Sequence, residues 1–250
     1  MQSINLKTMK KNFLVIALVI TVLVMSFISC GGHKKDDTSY PAPVSWSPTP
    51  GEGGTVPTEV LPDALKDTVN KYFTIHSGTS GAIFSGQFVS SPHTLLYTTI
   101  EDDTVHIYND RYIAFMENGN LMDFYGKQWD DKEGEYYNEA YRKLNVLGTG
   151  EDFTCYYLTK GYPNGMYAEQ ATIFSGSWNE SYGGLKDFQV AVILIKTSGN
   201  PNLAPKGSIR VLGDGDGLAK DTAWISSKRA AFEEDIQVSA EEAFSMFRVR

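Results

Sequence analysis

The sequence predicts a mainly β chain: an antiparallel sandwich or barrel with an N-terminal helix and a short C-terminal helix. Three observations carry that prediction. Short runs rich in Val, Ile, Tyr, Phe and Thr alternate with Gly- and Asn-rich turns from residue 104 onward. The regular strand–helix alternation of a nucleotide-binding sheet is absent. Helical spacing of apolar residues is confined to one segment ahead of the strands and one at the C-terminus.

The elements follow in order. Lys7, Lys10 and Lys11 precede an apolar run from Phe13 to Ile28, and Ser29 and Cys30 end it. A charged segment, an apolar segment and a small residue before a cut make a secretory signal over residues 1–29. The run is shorter than the roughly 20 residues of a membrane-spanning helix, so cleavage is expected, with an uncleaved N-terminal anchor as the alternative. Residues 30–58 read as a lipidated cysteine and a tether. Positions 31–58 hold five of the ten prolines, five glycines and almost no aliphatic residues, a composition that favours extended chain and cannot bury a core. Trp46 has no role in that picture.

A single β-rich domain is expected over residues 59–250. Leu61, Leu65, Val69 and Phe73 recur every fourth residue and give a helix one apolar stripe, with Pro62 in its first turn. Strands are expected at 104–108, 111–116, 121–129, 136–147, 152–159, 169–178, 187–196 and 207–212, with Glu117-Asn118-Gly119-Asn120 as a turn. Val190 to Ile195 is apolar on both faces, so it belongs in a sheet covered on both sides. Ser239 and Glu242 have capping-box spacing before Ala243, Phe244 and Phe247, which marks the C-terminal helix.

Ile83-Phe84-Ser85-Gly86-Gln87-Phe88 recurs ninety positions later as Ile173-Phe174-Ser175-Gly176-Ser177-Trp178, and Leu95 and Leu185 keep the same offset. Two readings stand: an internal two-fold repeat, or two sheet strands that each carry a glycine bulge followed by an aromatic plug.

Composition narrows the function classes. The net charge is −8, and it becomes −11 once the three lysines of residues 1–29 are removed. An acidic chain lacks the basic footprint that nucleic acid needs. No pair among His33, His76, His93 and His106 has zinc-ligand spacing, and Ser90-Ser91-Pro92-His93 lacks the Gly-x-Ser-x-Gly elbow of a hydrolase. Cys155, without a neighbouring His or Lys, reads as a buried, inert thiol. If Cys30 is acylated, no internal disulfide forms.

Gly213-Asp214-Gly215-Asp216-Gly217 is the sharpest local motif. With Asp221 it makes a candidate calcium site, although it fails the EF-hand spacing; otherwise it is a tight solvated turn. No other cofactor is expected. Trp129, Tyr136, Tyr137 and Tyr141 bracket one hairpin tip. Trp129 and Tyr136, with Tyr137, could face a sugar or a protein partner, and a glycan platform would need their rings exposed and coplanar. Cross-strand pairing within the sheet is the alternative. The acidic clusters 101–103, 130–135, 151–152 and 233–235 would matter to a glycosidase only if two carboxylates faced one another across a cleft.

Phe27-Ile28-Ser29-Cys30 resembles the lipobox of bacterial lipoproteins, with Phe27 in place of the usual Leu. Lys35-Asp36-Asp37 resembles the surface-export signal of Bacteroidetes-type lipoproteins. With the tether, these imply an outer-membrane lipoprotein held by lipid on Cys30 and facing the cell exterior. Asp67-Thr68-Val69, Asp103-Thr104-Val105 and Asp221-Thr222-Ala223 resemble that group's O-glycan acceptor, which would modify Thr68, Thr104 or Thr222. Gly176-Ser177-Trp178 resembles the glycine–any–tryptophan signature of lipocalins, where the tryptophan closes the barrel floor; here it falls in the second half of the chain.

The expected function is a lipid-anchored, non-catalytic binding or structural protein of a bacterial envelope, with a glycan or an envelope protein as ligand. The alternatives are a polysaccharide hydrolase working through paired carboxylates and a lipocalin-like carrier of a small apolar molecule. Replacing the lipid acceptor tests the anchor: a Cys30→Ala variant should lose lipid labelling and leave the membrane fraction, and one that keeps both would refute acylation at that residue.

Overall fold

A computed structural model describes residues 40–101, 103, 107–130, 134–224 and 243–247. The signal segment, Cys30, Lys35-Asp36-Asp37, Thr104, Ser239 and Glu242 lie outside the described residues. No helix among those described is long and apolar enough to cross a membrane.

The described residues form strands β1 (Val44–Trp46), β2 (Thr79–Ser80), β3 (Gly86–Ser90), β4 (His93–Thr98), β5 (Ile107–Tyr108), β6 (Arg111–Asn118), β7 (Leu121–Asp130), β8 (Glu135–Thr149), β9 (Asp152–Gly161), β10 (Ala168–Asn179), β11 (Gly184–Thr197), β12 (Ile209–Asp214) and β13 (Leu218–Asp221), and the helix α1 (Asp63–Tyr72). Three walls are interrupted strands. β3 continues as β4, β5 as β6, and β12 as β13, because the members of each pair share the same neighbouring walls. The walls run antiparallel in chain order: β3/β4, β5/β6, β7, β8, β9, β10, β11 and β12/β13. The last then pairs with the first, through Lys220 opposite Val89 and Leu212 opposite Leu95. The sheet is therefore an eight-walled, up-and-down antiparallel barrel rather than a sandwich.

Alternation along the strands separates an inside from an outside. Phe153, Cys155 and Tyr157 on β9, Phe174 on β10, and Phe188, Val190, Val192 and Leu194 on β11 belong to one buried cluster with Phe88, Phe115 and Phe124 from the facing walls. Aromatic rings fill this interior. Phe174 lies 4.4 Å from Phe124, 6.0 Å from Phe115 and 6.3 Å from Phe188, centroid to centroid. Glycine makes room for such rings: a Cβ on Gly86 would stand 2.3 Å from the Phe88 ring, and one on Gly126 2.7 Å from the Phe124 ring. Burial pushes the Cys155 thiol far above its ordinary range, which agrees with an inert role.

The alternate residues of the same strands face outward and form a second apolar layer. Tyr156, Leu158, Ala171, Ile173, Ala191, Ile193, Ile209 and Val211 are buried there, covered by Val69 and Phe73 from α1 and its end and by Val56, Val60 and Leu61. Val190 to Leu194 is thus apolar on both faces because one face fills the barrel and the other lies under the helix. The helix begins at Asp63, with Pro62 as its cap residue, one position earlier in role than the first-turn place the sequence implied.

Residues 40–58, expected as tether, belong to the same compact unit as the barrel. β1 pairs with β9, Trp46 opposite Leu158, and Trp46 packs on the outer apolar layer with the Lys160 ammonium 5.4 Å from its ring centroid. Beyond the Asn145–Tyr156 pair β8 leaves β9, and β1 takes its place as β9's neighbour. The end of the expected tether is a piece of the wall. Of the expected C-terminal helix, the described residues hold a helical Ala243 and a 3-10 turn at Ser245–Phe247, and Phe244 and Phe247 are buried against the barrel interior.

The echoed hexapeptides sit on the first and sixth walls. A twofold axis through an eight-walled barrel relates walls four apart, so these copies are not its equivalents. The plug reading accounts for the second copy, where the β10–β11 register slips at Gly176.

Phe174→Ala should lower unfolding free energy by about 3–5 kcal/mol, since it opens a cavity at the centre of the ring cluster. Ile107→Ala, at a residue 67% exposed, should stay within about 0.5 kcal/mol. Urea denaturation of both variants checks the contrast.

Candidate functional site

Among the described residues, two places gather candidate functional side chains, one inside the barrel and one on its outer face.

The first lies on the inner face where three walls are interrupted together, at Ser91-Pro92, Asn109-Asp110 and Gly215–Gly217. Ser90 pairs across the ladder with Arg111, and Arg111 with Gln128, so the three share the inward face. All are buried, as are His93, Thr172 and Gln170. The Arg111 guanidinium reaches across the barrel to 5.9 Å from the Phe174 ring. Gln128 donates from Nε2 to the Asn109 carbonyl at 2.5 Å, and Gln170 donates from Nε2 to Thr172 Oγ1 at 3.3 Å. Asp103 and Arg210 close a buried ion pair of 2.7 Å beside this layer. A polar layer therefore lies above the aromatic packing.

Asp214 organises its edge. Its Oδ2 accepts the Ser91 N–H at 3.0 Å, and its Oδ1 accepts the N–H groups of Leu218 at 3.0 Å and Asp216 at 3.3 Å. Ser90 Oγ lies 3.0 Å from His93 Nδ1, in a hydrogen bond in which either atom can donate. Nε2 of His93 and Oε1 of Gln170 make no hydrogen bond, and both side chains are buried. Burial first, and the Arg111 charge second, hold the His93 imidazole well below its ordinary pKa, so it is neutral.

Arg111 opposes the imidazolium that catalysis by a Ser90–His93 pair would require.

The second place is the outer face of β6, β7 and β8. Lys127 Nζ stands 4.9 Å from the Tyr136 and Trp224 ring centroids and 5.0 Å from that of Tyr112. Tyr125 stacks on Trp224 at 5.5 Å and 21°. Trp129 and Tyr136 are exposed, at 38% and 43%. They are register partners, and their rings meet at 76° rather than lying coplanar as a glycan platform would need. Edge-to-face contact is the geometry that aromatic quadrupoles favour. Tyr137 lies on β8, and its side chain is outside the described residues.

The other sequence candidates fall elsewhere. Asp216 pairs with Lys220 at 2.9 Å, Asp221 lies at the end of β13, and no cluster of three metal-ligating side chains occurs among the described residues. The Gly-Asp-Gly-Asp-Gly loop spends its oxygens on backbone N–H groups and a lysine. Thr68 is half-buried on α1, and Thr222 is half-buried with its N–H donated to the Gln87 carbonyl. Glu151 accepts from Asn179 and Tyr182, and Asp152 accepts from Ser177 and pairs with His76.

Sequence reasoning missed Arg111, Gln128, Gln170, Lys127 and Trp224. A signal existed for three of them. Arg111 shares its parity with Ile113 and Phe115, Gln128 with Gly126 and Phe124, and Gln170 with Thr172 and Phe174, so each is a polar residue on an inward stripe.

No protein-family model, curated protein or solved structure matches this chain.

A neutral His93 that regains a proton on unfolding makes the native state more stable above its unfolded pKa of about 6.5 than below it. The His93 contribution is therefore present at high pH and lost as pH falls. The Tm of wild type minus that of His93→Leu should shrink from about pH 8 to about pH 5; a constant difference would show that His93 is not buried neutral.

Proposed function

We propose that the protein is a lipid-anchored, non-catalytic binding protein displayed on the surface of a bacterial envelope, and that it holds a glycan on the outer aromatic face around Lys127. The observation that carries the reading is that face itself. Trp129 and Tyr136 stand exposed at right angles, and an ammonium sits among three neighbouring rings. A corner of this kind is not the coplanar platform expected from the sequence; it holds a sugar by one ring face against its C–H surface, with the second ring edge, the Tyr136 hydroxyl and Lys127 beside the sugar hydroxyls. The anchor and the address rest on Phe27 to Cys30 and on Lys35-Asp36-Asp37.

The non-catalytic part of the reading is supported by the engagement of Asp103, Glu151, Asp152 and Asp216 in ion pairs or hydrogen bonds. The lipocalin-like reading has its own support. Trp178 stacks on Phe84 at 5.0 Å and 7°, beside Phe153 at one end of an up-and-down eight-walled barrel. For an apolar guest, however, the space around Phe174 is already taken by rings.

Binding of the full chain to bacterial and host polysaccharides, measured by glycan array and calorimetry, tests the proposal. Trp129→Ala should weaken the best glycan by about tenfold or more while leaving Tm nearly unchanged. If no glycan binds but an envelope protein does, and Trp129→Ala abolishes that contact, the face is a protein-docking surface and the glycan reading falls.

A further inference from the structure

We propose that the groove between α1 and the 51–56 turn is a second binding site, for one ring of a neutral sugar. It is a different place from the outer aromatic face, and the inference does not rest on what that face holds.

The groove is open to solvent and has a volume of about 440 Å³, within the roughly 300–1,000 Å³ of small-molecule sites. Its floor is apolar: Val56, Leu61 and Phe73 are buried, and Ile75 is half-buried. Its rim carries Thr55, Asn70, Thr74 and Ser77, all exposed. Lys66 is the one charged residue of the lining. The walls are fixed before any guest arrives. The Gly78 N–H donates to the Gly54 carbonyl at 2.9 Å, and a Cβ on Gly54 would stand 2.2 Å from the Gly78 oxygen. The same segment is tied to the barrel through the Thr74 N–H on Gln189 Oε1 and the His76 N–H on Thr154 Oγ1, both at 2.9 Å. A site with ordered walls loses little further freedom on binding.

The lining selects the class of guest. Thr, Ser and Asn side chains both donate and accept, as sugar hydroxyls do. Thr55 Oγ1 donates to the Glu52 carbonyl at 3.1 Å and keeps its lone pairs for a guest. The Lys66 ammonium already carries a carboxylate, Asp63 Oδ1 at 2.6 Å, so an anionic guest would compete for it. A cationic guest finds no carboxylate in the lining. A wholly apolar guest would strip the rim of water without replacing its hydrogen bonds. An amide offers one donor and one acceptor to a rim of several polar side chains, whereas a pyranose ring carries a hydroxyl on most of its carbons. A neutral sugar meets both parts of the groove, with its C–H surface on the floor and its hydroxyls at the rim.

The experiment uses the full chain with nitrogen-labelled backbone, as wild type and as Trp129→Ala, which removes the outer face. Amide resonances are followed by NMR during titration with glucose, galactose and N-acetylglucosamine. Glucuronate, glucosamine, hexanoate and a blocked alanine amide are the controls. At least one neutral sugar should shift the amides of Val56, Phe73, Thr74 and Ile75 saturably in both proteins, at least about fivefold more tightly than any control. Asn70→Ala and Thr74→Val, each at an exposed position, should leave Tm nearly unchanged and weaken that sugar at least about threefold. The proposal is overturned if no neutral sugar shifts these amides, if a control binds as tightly, or if both variants bind as wild type does. Shifts confined to β6, β7 and β8 and lost in Trp129→Ala would overturn it too, and would leave the outer-face reading standing.

Discussion

The barrel depends on one contact region, the seam where its last wall meets its first. Both walls break there, β3/β4 at Ser91-Pro92 and β12/β13 at Gly215–Gly217. A broken strand leaves backbone donors without ladder partners, and a buried donor of that kind is costly. Asp214 takes up three of them, from Ser91, Asp216 and Leu218, and the Pro92 carbonyl accepts the Gly215 N–H at 2.8 Å across the same gap. One carboxylate thus lets both strands bend and stay paired. With the β4–β12 and β3–β13 ladders paired on either side of the gap, the closed sheet avoids the exposed edges that are a liability of open ones.

The same seam borders the polar interior: Ser90, just before the break in the first wall, meets His93 Nδ1 at 3.0 Å just after it. The outer aromatic face is built by different means. There β6, β7 and β8 are regular ladder partners, and the rings cluster because cross-strand neighbours on one face lie close together. Trp224, just past the last strand, adds its ring by donating Nε1–H to the Ile113 carbonyl at 3.2 Å.

Much of the fold was legible in the sequence. The helix stripe from Leu61 to Phe73, the turn at Gly119, whose φ of 67° suits glycine, and the doubly apolar β11 all follow from local pattern. What was not legible was long-range pairing. β3 and β4 are interrupted by Ser91-Pro92, which reads locally as a loop, and only the partners β12 and β13 make them a wall. Trp46 looked stranded in a tether because its partner, β9, lies more than a hundred residues away. The site followed the same rule. Trp129 and Tyr136 were visible as exposed rings, but their right angle is a property of the ladder. Gly-Asp-Gly-Asp-Gly resembled a cation loop because its neighbours at Ser91 and Leu218 could not be seen. His93 beside Ser90 was visible as a pair, whereas the burial and the Arg111 charge that hold it neutral come from the fold.

Amide hydrogen exchange on an Asp214→Ala variant tests this account most directly, because it reads each backbone donor at the seam. Protection should fall at Ser91 and Leu218 and spread to the β3–β13 ladder around Val89 and Lys220, while the ladder between Phe174 and Val190 keeps its wild-type protection. Unchanged exchange at Ser91 and Leu218, or a uniform loss across every wall, would contradict the claim that this carboxylate closes the barrel.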